Sequence, residues 1–198
     1  MEIQYRDFKA IALSYDCDHG DECSMVLNVD TLIDWMLGSK RYFYHFTDTR
    51  NLPLISQHGL LSTNELRLRG ISPITGGDAT SLSIDATKGY DKFVHLCFRN
   101  NHPMEYAARM DGRIQDSRFL RIDPRVLRAS GTLVSDMIVT ANDVTIGPPN
   151  EMIHKLDLPV IYDRMDWKNP EVRARLNKAE KYEVLVLNSI SLEYISAL

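Results

Sequence analysis

Glu183 opens the apolar run Glu183-Val184-Leu185-Val186-Leu187 near the end of the chain. Side chains alternate faces along a strand, so Glu183 shares a face with Leu185 and Leu187. A carboxylate on such a face costs free energy unless it is paired or lines a cleft. Position alone leaves two readings open, an exposed charge at a strand start or a carboxylate held in a site. His45 poses the same choice. It lies in Arg41-Tyr42-Phe43-Tyr44-His45-Phe46-Thr47, on one face with Phe43 and Thr47. A histidine among aromatics is commonly a hydrogen-bonded core residue. Near a strand end that runs into a helix, where ligands often sit, it is also placed to contact one.

Other candidates are weaker. Cys17, His19 and Cys23 lie close together in an acidic turn, with Cys97 as the third cysteine. Structural zinc wants four ligands, usually in CxxC-type pairs, and no second pair follows, so no metal is expected. An odd, small cysteine count implies no disulfide framework. His45, His95 and His102 offer an acid and a base for a nuclease-like toxin, but no paired spacing supports that use. Arginines cluster from Arg99 to Arg128 and again at Arg164, Arg173 and Arg175. Read plainly, such clusters are a solvated surface. The net charge of −4 is not that of a DNA-coating protein, yet it leaves room for a local basic groove.

These residues need a scaffold. At 198 residues the chain fits one domain, and 44% hydrophobic with 25% charged content is an ordinary globular balance. No stretch approaches the roughly 20 apolar residues of a bilayer span. The opening MEIQYRDFKA lacks the pattern of a signal peptide, so a soluble cytoplasmic protein is expected.

Residues 1–40 read as an N-terminal extension ending in a helix capped by Asp30 or Thr31, which packs on a domain of residues 41–198. A strand over Arg41–Thr47 leads into a helix capped by Asp48 or Thr49 and stopped at Gly59. Residues 62–90 read as a long loop with a short strand near Ser81–Ile84. Strands are expected over Lys92–Phe98, Arg118–Ile122 and Tyr182–Leu187, with Thr132–Val139 extended and a turn at Thr145–Asn150. Helical turns are expected over Met104–Met110 and Arg125–Leu127. Asn169 caps a basic helix with Pro170 at its first position. Strands and helices mix without βαβ alternation, which favours an α+β fold.

Tyr44-His45-Phe46-Thr47-Asp48-Thr49-Arg50-Asn51-Leu52-Pro53-Leu54-Ile55, followed by His58-Gly59-Leu60-Leu61, resembles the opening strand and helix of the DarT family, toxin ADP-ribosyltransferases that modify DNA bases. Phe93 to Met104, Gly131 to Ala141 and Pro170 to Val186 resemble three later segments of that family in the same order. The resemblance covers about residues 42–195. It implies an ADP-ribosyltransferase-like fold, with two small facing β-sheets around an NAD⁺ cleft and flanking helices.

It further implies His45 and Glu183 as catalytic residues, with His45 also binding NAD⁺. Phe46, Thr47, Asn51, Gly59, Leu60 and Phe98 become neighbours of the dinucleotide, an aromatic such as Phe46 or Phe98 stacking on nicotinamide. NAD⁺ is consumed as co-substrate and no metal is needed. Two departures bear on the acceptor. The family carries an arginine after its first helix, whereas Thr75 to Gly89 has none; Arg67 and Arg69 are possible substitutes. Asn101 stands where the family has an arginine before the Pro-Met turn.

The chemistry is coherent. Cleaving the nicotinamide–ribose bond builds positive charge on the sugar, as in glycoside cleavage. A fixed carboxylate stabilises that charge where water is excluded. Glu183 is placed to hold a ribose hydroxyl and to accept a proton from the acceptor. An unpaired nucleobase in single-stranded DNA is the preferred acceptor, because it saves the unstacking cost. Arg99, Arg109, Arg113, Arg173, Arg175 and Lys178 are candidates for its phosphate path. RNA or protein is the alternative acceptor, and an inactive nucleic-acid-binding module is the alternative role. The resemblance implies a toxin partnered by a macrodomain antitoxin.

Overall fold

The computed structural model describes residues 27–196. The opening MEIQYRDFKA and the acidic turn with Cys17, His19 and Cys23 lie outside the described residues. Helix α1 (Val29–Gly38) begins two or three residues earlier than its sequence suggests. Asn28, not Asp30 or Thr31, is the cap, its Oδ1 accepting from the Thr31 amide at 2.8 Å. The helix buries Leu32, Ile33, Trp35 and Met36 in the core of the domain. It lies against the turn at Pro124–Arg128, where Arg128 pairs with Asp30 at 2.8 Å.

The main sheet has seven strands in the order β6-β5-β7-β3-β1-β4-β9. They are β1 (Phe43–Asp48), β3 (Phe93–Cys97), β4 (Ser117–Ile122), β5 (Leu133–Ser135), β6 (Ile146–Gly147), β7 (Glu183–Leu187) and β9 (Ile195–Ser196). β2 (Leu60–Leu61) and β8 (Ser189–Ile190) form a second, two-stranded sheet. Every pairing is antiparallel. The large sheet is two halves joined at a seam. β1 runs beside β4 from Phe43↔Ile122 to Asp48↔Ser117, and β3 runs beside β7 from Phe93↔Leu187 to Cys97↔Glu183. Between the halves, β1 and β3 meet at the pair Tyr44↔Cys97.

Alternation sorts the side chains as strand geometry requires. Val94 and Leu96 of β3 and Val184 and Val186 of β7 enter the core with Phe43, Leu120 and Ile122. His95, Cys97 and Glu183 occupy the opposite face of the same strands. The end of β1 is anchored by Asp48, whose side chain is fully buried. It accepts from Arg50 Nε at 2.7 Å, Arg50 Nη2 at 2.8 Å and the Gln115 amide at 2.9 Å. The Arg50 hydrogen bonds hold its carboxyl far below the usual carboxylate range. Asp48 also starts the short 3-10 turn that leads into helix α2 (Leu52–His58). Gly59 ends α2 at φ +72°, and a Cβ there would run into the carbonyl oxygen of Ile190, so the link to the small sheet demands glycine.

The main departure is residues 62–90. Instead of a loop with a short strand near Ser81–Ile84, the chain forms helix α3 (Thr63–Leu68) and helix α4 (Ala79–Lys88). Ser62 caps α3 by accepting from the Glu65 amide at 3.2 Å. Asp78 caps α4 by accepting from the Ser81 amide at 2.8 Å. Beyond β3 lies helix α5 (Pro103–Met110). The segment read as a turn at Thr145–Asn150 supplies β6 and the start of helix α6 (Pro149–Met152). Helix α7 (Leu158–Tyr162) follows, then helix α8 (Pro170–Ala179), capped by Asn169 as its sequence indicates.

Candidate active site

The seam opens into a cavity of ≈ 540 Å³, within the size range of small-molecule sites. Its floor comes from β1 and β3, with Glu183 from β7. Its far wall is the chain from Gly59 through α3, the loop at 70–77 and α4. His45, Phe46, Thr47, Asn51, Gly59, Leu60 and Glu183 all line it.

His45 fits the seam. Its Nδ1–H donates to the carbonyl oxygen of His95 across 3.0 Å. That bond fixes the tautomer, because the carbonyl can only accept. Burial lowers the pKa of His45, so the ring is neutral near pH 7 and Nε2 keeps its lone pair. The result is a fixed acceptor suited to a sugar hydroxyl.

Glu183 is 6% exposed and engaged at both oxygens. Oε1 accepts from His95 Nδ1 at 3.4 Å, and Oε2 accepts from the Val139 amide at 2.9 Å. The other ring nitrogen of His95, Nε2, donates to the Tyr90 carbonyl at 3.2 Å. Both nitrogens of His95 therefore act as donors, as only an imidazolium allows. Burial works against that charge. The hydrogen bond and charge of Glu183, then Asp85 and the Tyr90 carbonyl, outweigh it and raise His95 to about 9. One residue thus touches both predicted partners: its backbone holds His45 and its ring holds Glu183.

The Val139 amide is itself fixed. Lys88, at the end of α4, donates to the carbonyls of Val139, Thr140 and Ala141 at 3.3, 3.2 and 3.0 Å. The opposite rim rests on Asn51, which is 6% exposed. Its Nδ2 donates to the Ile74 carbonyl at 2.8 Å and to Thr47 Oγ1 at 3.1 Å, while its Oδ1 accepts from the Ile74 amide at 2.9 Å. Asn51 therefore uses its side chain to clamp the rim. Phe46 stacks near His102 at 6.0 Å between centroids, and a Cβ on Gly76 would meet its ring edge at 2.7 Å. The His102 ring, pushed towards neutrality by burial, accepts from the Met104 amide at 3.2 Å and caps α5. The Cys97 thiol sits beside Glu183, but burial pushes it up to about 12, so it is no nucleophile.

Several expected contacts fall elsewhere. Phe98 is a core residue, edge-on to Phe43 at 5.1 Å and Tyr182 at 6.2 Å. It shares the face of Leu96 and Val94, so it points away from the cavity and does not stack there. None of Arg99, Arg109, Arg113, Arg173, Arg175 and Lys178 lines the cavity. Arg99 pairs with Glu180 at 2.9 Å, Arg109 with Glu105 at 2.8 Å and Arg175 with Asp157 at 2.6 Å. Arg113 binds Asp111 at 2.9 Å and the Gly76 carbonyl, bracing the rim from behind. Arg173 and Lys178 are exposed on α8. Arg67 does line the cavity, whereas Arg69 pairs with Glu65 at 3.0 Å. The sequence reading did not assign Asp85, Lys88 or Val139 to the site, and His95 entered only as a nuclease candidate. For His95 the alternation of β3 with Cys97 was an available signal; for the others nothing local marked them.

Among the described residues no cluster of His, Cys, Asp and Glu is able to hold a metal, and no helix is long and apolar enough to cross a membrane.

Residues 44–198 match the family model described as "ssDNA thymidine ADP-ribosyltransferase, DarT". Solved structures share the fold. DarTG of Thermosipho africanus in complex with ADP-ribose superposes with a TM-score of 0.62 at 20% identity, over 79% of this chain and 43% of that one. DarT of Thermus sp. 2.9 in complex with ADP-ribosylated ssDNA gives 0.59 at 18% identity, over 79% of both chains. The same protein with NAD⁺ gives 0.53 at 19% identity, over 78% of both. This chain thus spans less than half the length of the Thermosipho protein. No curated protein sequence matches it at a significant level.

Proposed function

Because the chain belongs to the DarT family of NAD-dependent, single-strand DNA ADP-ribosyltransferases, we propose that its cavity binds NAD⁺ and transfers ADP-ribose to thymidine in single-stranded DNA. The observation that carries this is the convergence of His45, His95 and Glu183 on one cavity at the sheet seam.

Each residue then has a role. The neutral His45 accepts a hydrogen bond from a ribose hydroxyl through Nε2 and orients the sugar. Glu183 faces the anomeric carbon and stabilises the positive charge that builds as nicotinamide departs. Its carboxylate needs no rearrangement, because His95 and the Val139 amide already fix both oxygens. Phe46 supplies the apolar surface for nicotinamide. Thr47, Gly59 and Leu60 shape the pocket, and Asn51 sets its rim. Arg67 also reaches the cleft and suits a phosphate of the dinucleotide or of DNA. The surface arginines form an outer phosphate path, weakened where acidic neighbours already pair them.

The ADP-ribosylated ssDNA bound by the Thermus protein favours DNA over RNA or protein as acceptor. The transferase domain is residues 41–198, with α1 of the preceding segment packed on it. In the cell this is a cytoplasmic toxin, held in check by a macrodomain antitoxin that removes the modification. The likeness to DarTG supports that pairing.

Incubation of labelled NAD⁺ with mixed DNA, RNA and protein tests the acceptor. Label is expected on single-stranded DNA containing thymidine. Label on protein alone would sink the acceptor assignment and leave the fold untouched.

A further inference from the structure

Helix α4 brings an acid to the cleft. Asp85 lines the same cavity as His45, His95 and Glu183. Its Oδ1 is buried with no hydrogen-bond partner. Leaving a buried acceptor unpaired costs about 1–3 kcal/mol, more when it is charged. Such a group persists where a ligand supplies the missing donor. Glu183 is less suited to that task, since both its oxygens already accept hydrogen bonds.

We propose that Asp85 is the base that receives the proton of the acceptor, and that it thereby selects nucleobases whose pairing edge carries a ring N–H. The inference rests on the reading of the cavity as an NAD⁺ site. Thymine within a strand has a single ring N–H, at N3, between two carbonyls. In the transfer, the bond from nicotinamide nitrogen to the anomeric carbon breaks. Its electron pair leaves with nicotinamide, which departs neutral. The N3 electron pair forms the new bond to that carbon, and the N3 proton passes to Asp85 Oδ1. The cationic charge of NAD⁺ disappears and one carboxylate becomes a carboxylic acid, so the step balances. Asp85 then returns its proton to water. An ionised carboxylate offers only acceptors, which suits it to take that proton. Thymine, uracil and guanine present a ring N–H on that edge; adenine and cytosine present a bare ring nitrogen there.

The groups facing Asp85 suit the task. Burial raises its pKa, and Glu183 on β7 and Asp91 act in the same direction; His95 on β3 and Lys88 on its own helix oppose them. A raised carboxylate is a better base near neutral pH. The His95 imidazolium is favoured by the charges of both acids, Glu183 and Asp85, and supplies their counter-charge.

The test measures two rates in the full chain: transfer from labelled NAD⁺ to a thymidine-bearing single strand, and nicotinamide release without DNA. Wild type, Asp85→Asn and Asp85→Glu are compared across the neutral pH range. Asp85→Asn should lower kcat for transfer about 100-fold, a larger fall than that in nicotinamide release, with KM for NAD⁺ little changed. The acidic limb of the wild-type kcat profile should vanish in Asp85→Asn, and Asp85→Glu should recover part of the rate. Strands offering only adenine and cytosine should stay unlabelled. Wild-type transfer by Asp85→Asn, or an equal loss of both rates with an unchanged pH profile, overturns the proposal. A wild-type protein that releases no nicotinamide overturns the NAD⁺ reading itself, which is a separate outcome.

Discussion

The two walls of the cleft are built by different means. The floor is made of strands packed on the core: Phe43 and Leu120 are buried on the face of His45, and Val94, Leu96, Val184 and Val186 are buried on the face opposite His95 and Glu183. The far wall is α3, the rim loop and α4, and neither helix buries a residue. It stays in place through polar ties: Asn51 to Ile74, Arg113 to Gly76, and Lys88 to the carbonyls at 139–141. Packing fixes the groups that must not move, while hydrogen bonds hold the part that must admit a substrate. Lys88 joins the two systems, because the segment it grips donates to Glu183 through Val139.

Removing the charge of the floor is expected to have the largest effect. Glu183→Gln should lower kcat for nicotinamide release about 10³-fold, and, because it takes the counter-charge from the His95 imidazolium, should lower stability near neutral pH by about 2 kcal/mol. A variant within tenfold of wild type would remove Glu183 from the chemistry. Next comes the contrast in packing. Leu120→Ala, in the core on the strand paired with β1, should cost about 2–5 kcal/mol in chemical denaturation. Ile84→Ala on α4 should cost about 1 kcal/mol or less. Equal losses would abolish the distinction between the walls.

The third effect is a pH dependence. His95 has a folded pKa near 9, above the ordinary imidazole value of 6.5. A raised pKa means that the folded state binds the proton more tightly. The stability it contributes is therefore complete below about pH 6.5 and is lost as pH rises towards 9. Allowing for its partial exposure, the loss should be about 2 kcal/mol. Comparison of His95→Gln with wild type in urea melts at the two pH limits reads it; parallel curves would show that the ion pair carries no stability. The smallest effect sits at the join. Lys88→Met should lower kcat about threefold through a looser Val139 amide, roughly 0.7 kcal/mol, leaving the KM for NAD⁺ unchanged. A change in KM alone would place Lys88 with the wall and not with Glu183.

Much of the floor was legible in the sequence. The aromatic run of β1, the buried strand Phe93–Cys97, the Asn169 cap and the strand opened by Glu183 follow from alternation and capping. The wall was not. Ser62 and Glu65 stand at capping-box spacing and Asp78 is a good cap, yet the helices after them lack the buried stripe that gives periodicity its signal. Phe98 shows the converse error. Its aromatic character suggested a stacking partner, but its place two residues after Leu96 put it on the core face.

The sequence by itself determined the strands of the floor, the helix capped by Asn169 and which residues share a face, because those properties depend on neighbours within a few positions. Tertiary structure alone decided what meets across the seam. His45 reaches the His95 carbonyl over 50 positions of chain, and His95 reaches Glu183 over 88. Those meetings depend on strand order and register, and a shift of one residue would turn every such side chain to the opposite face.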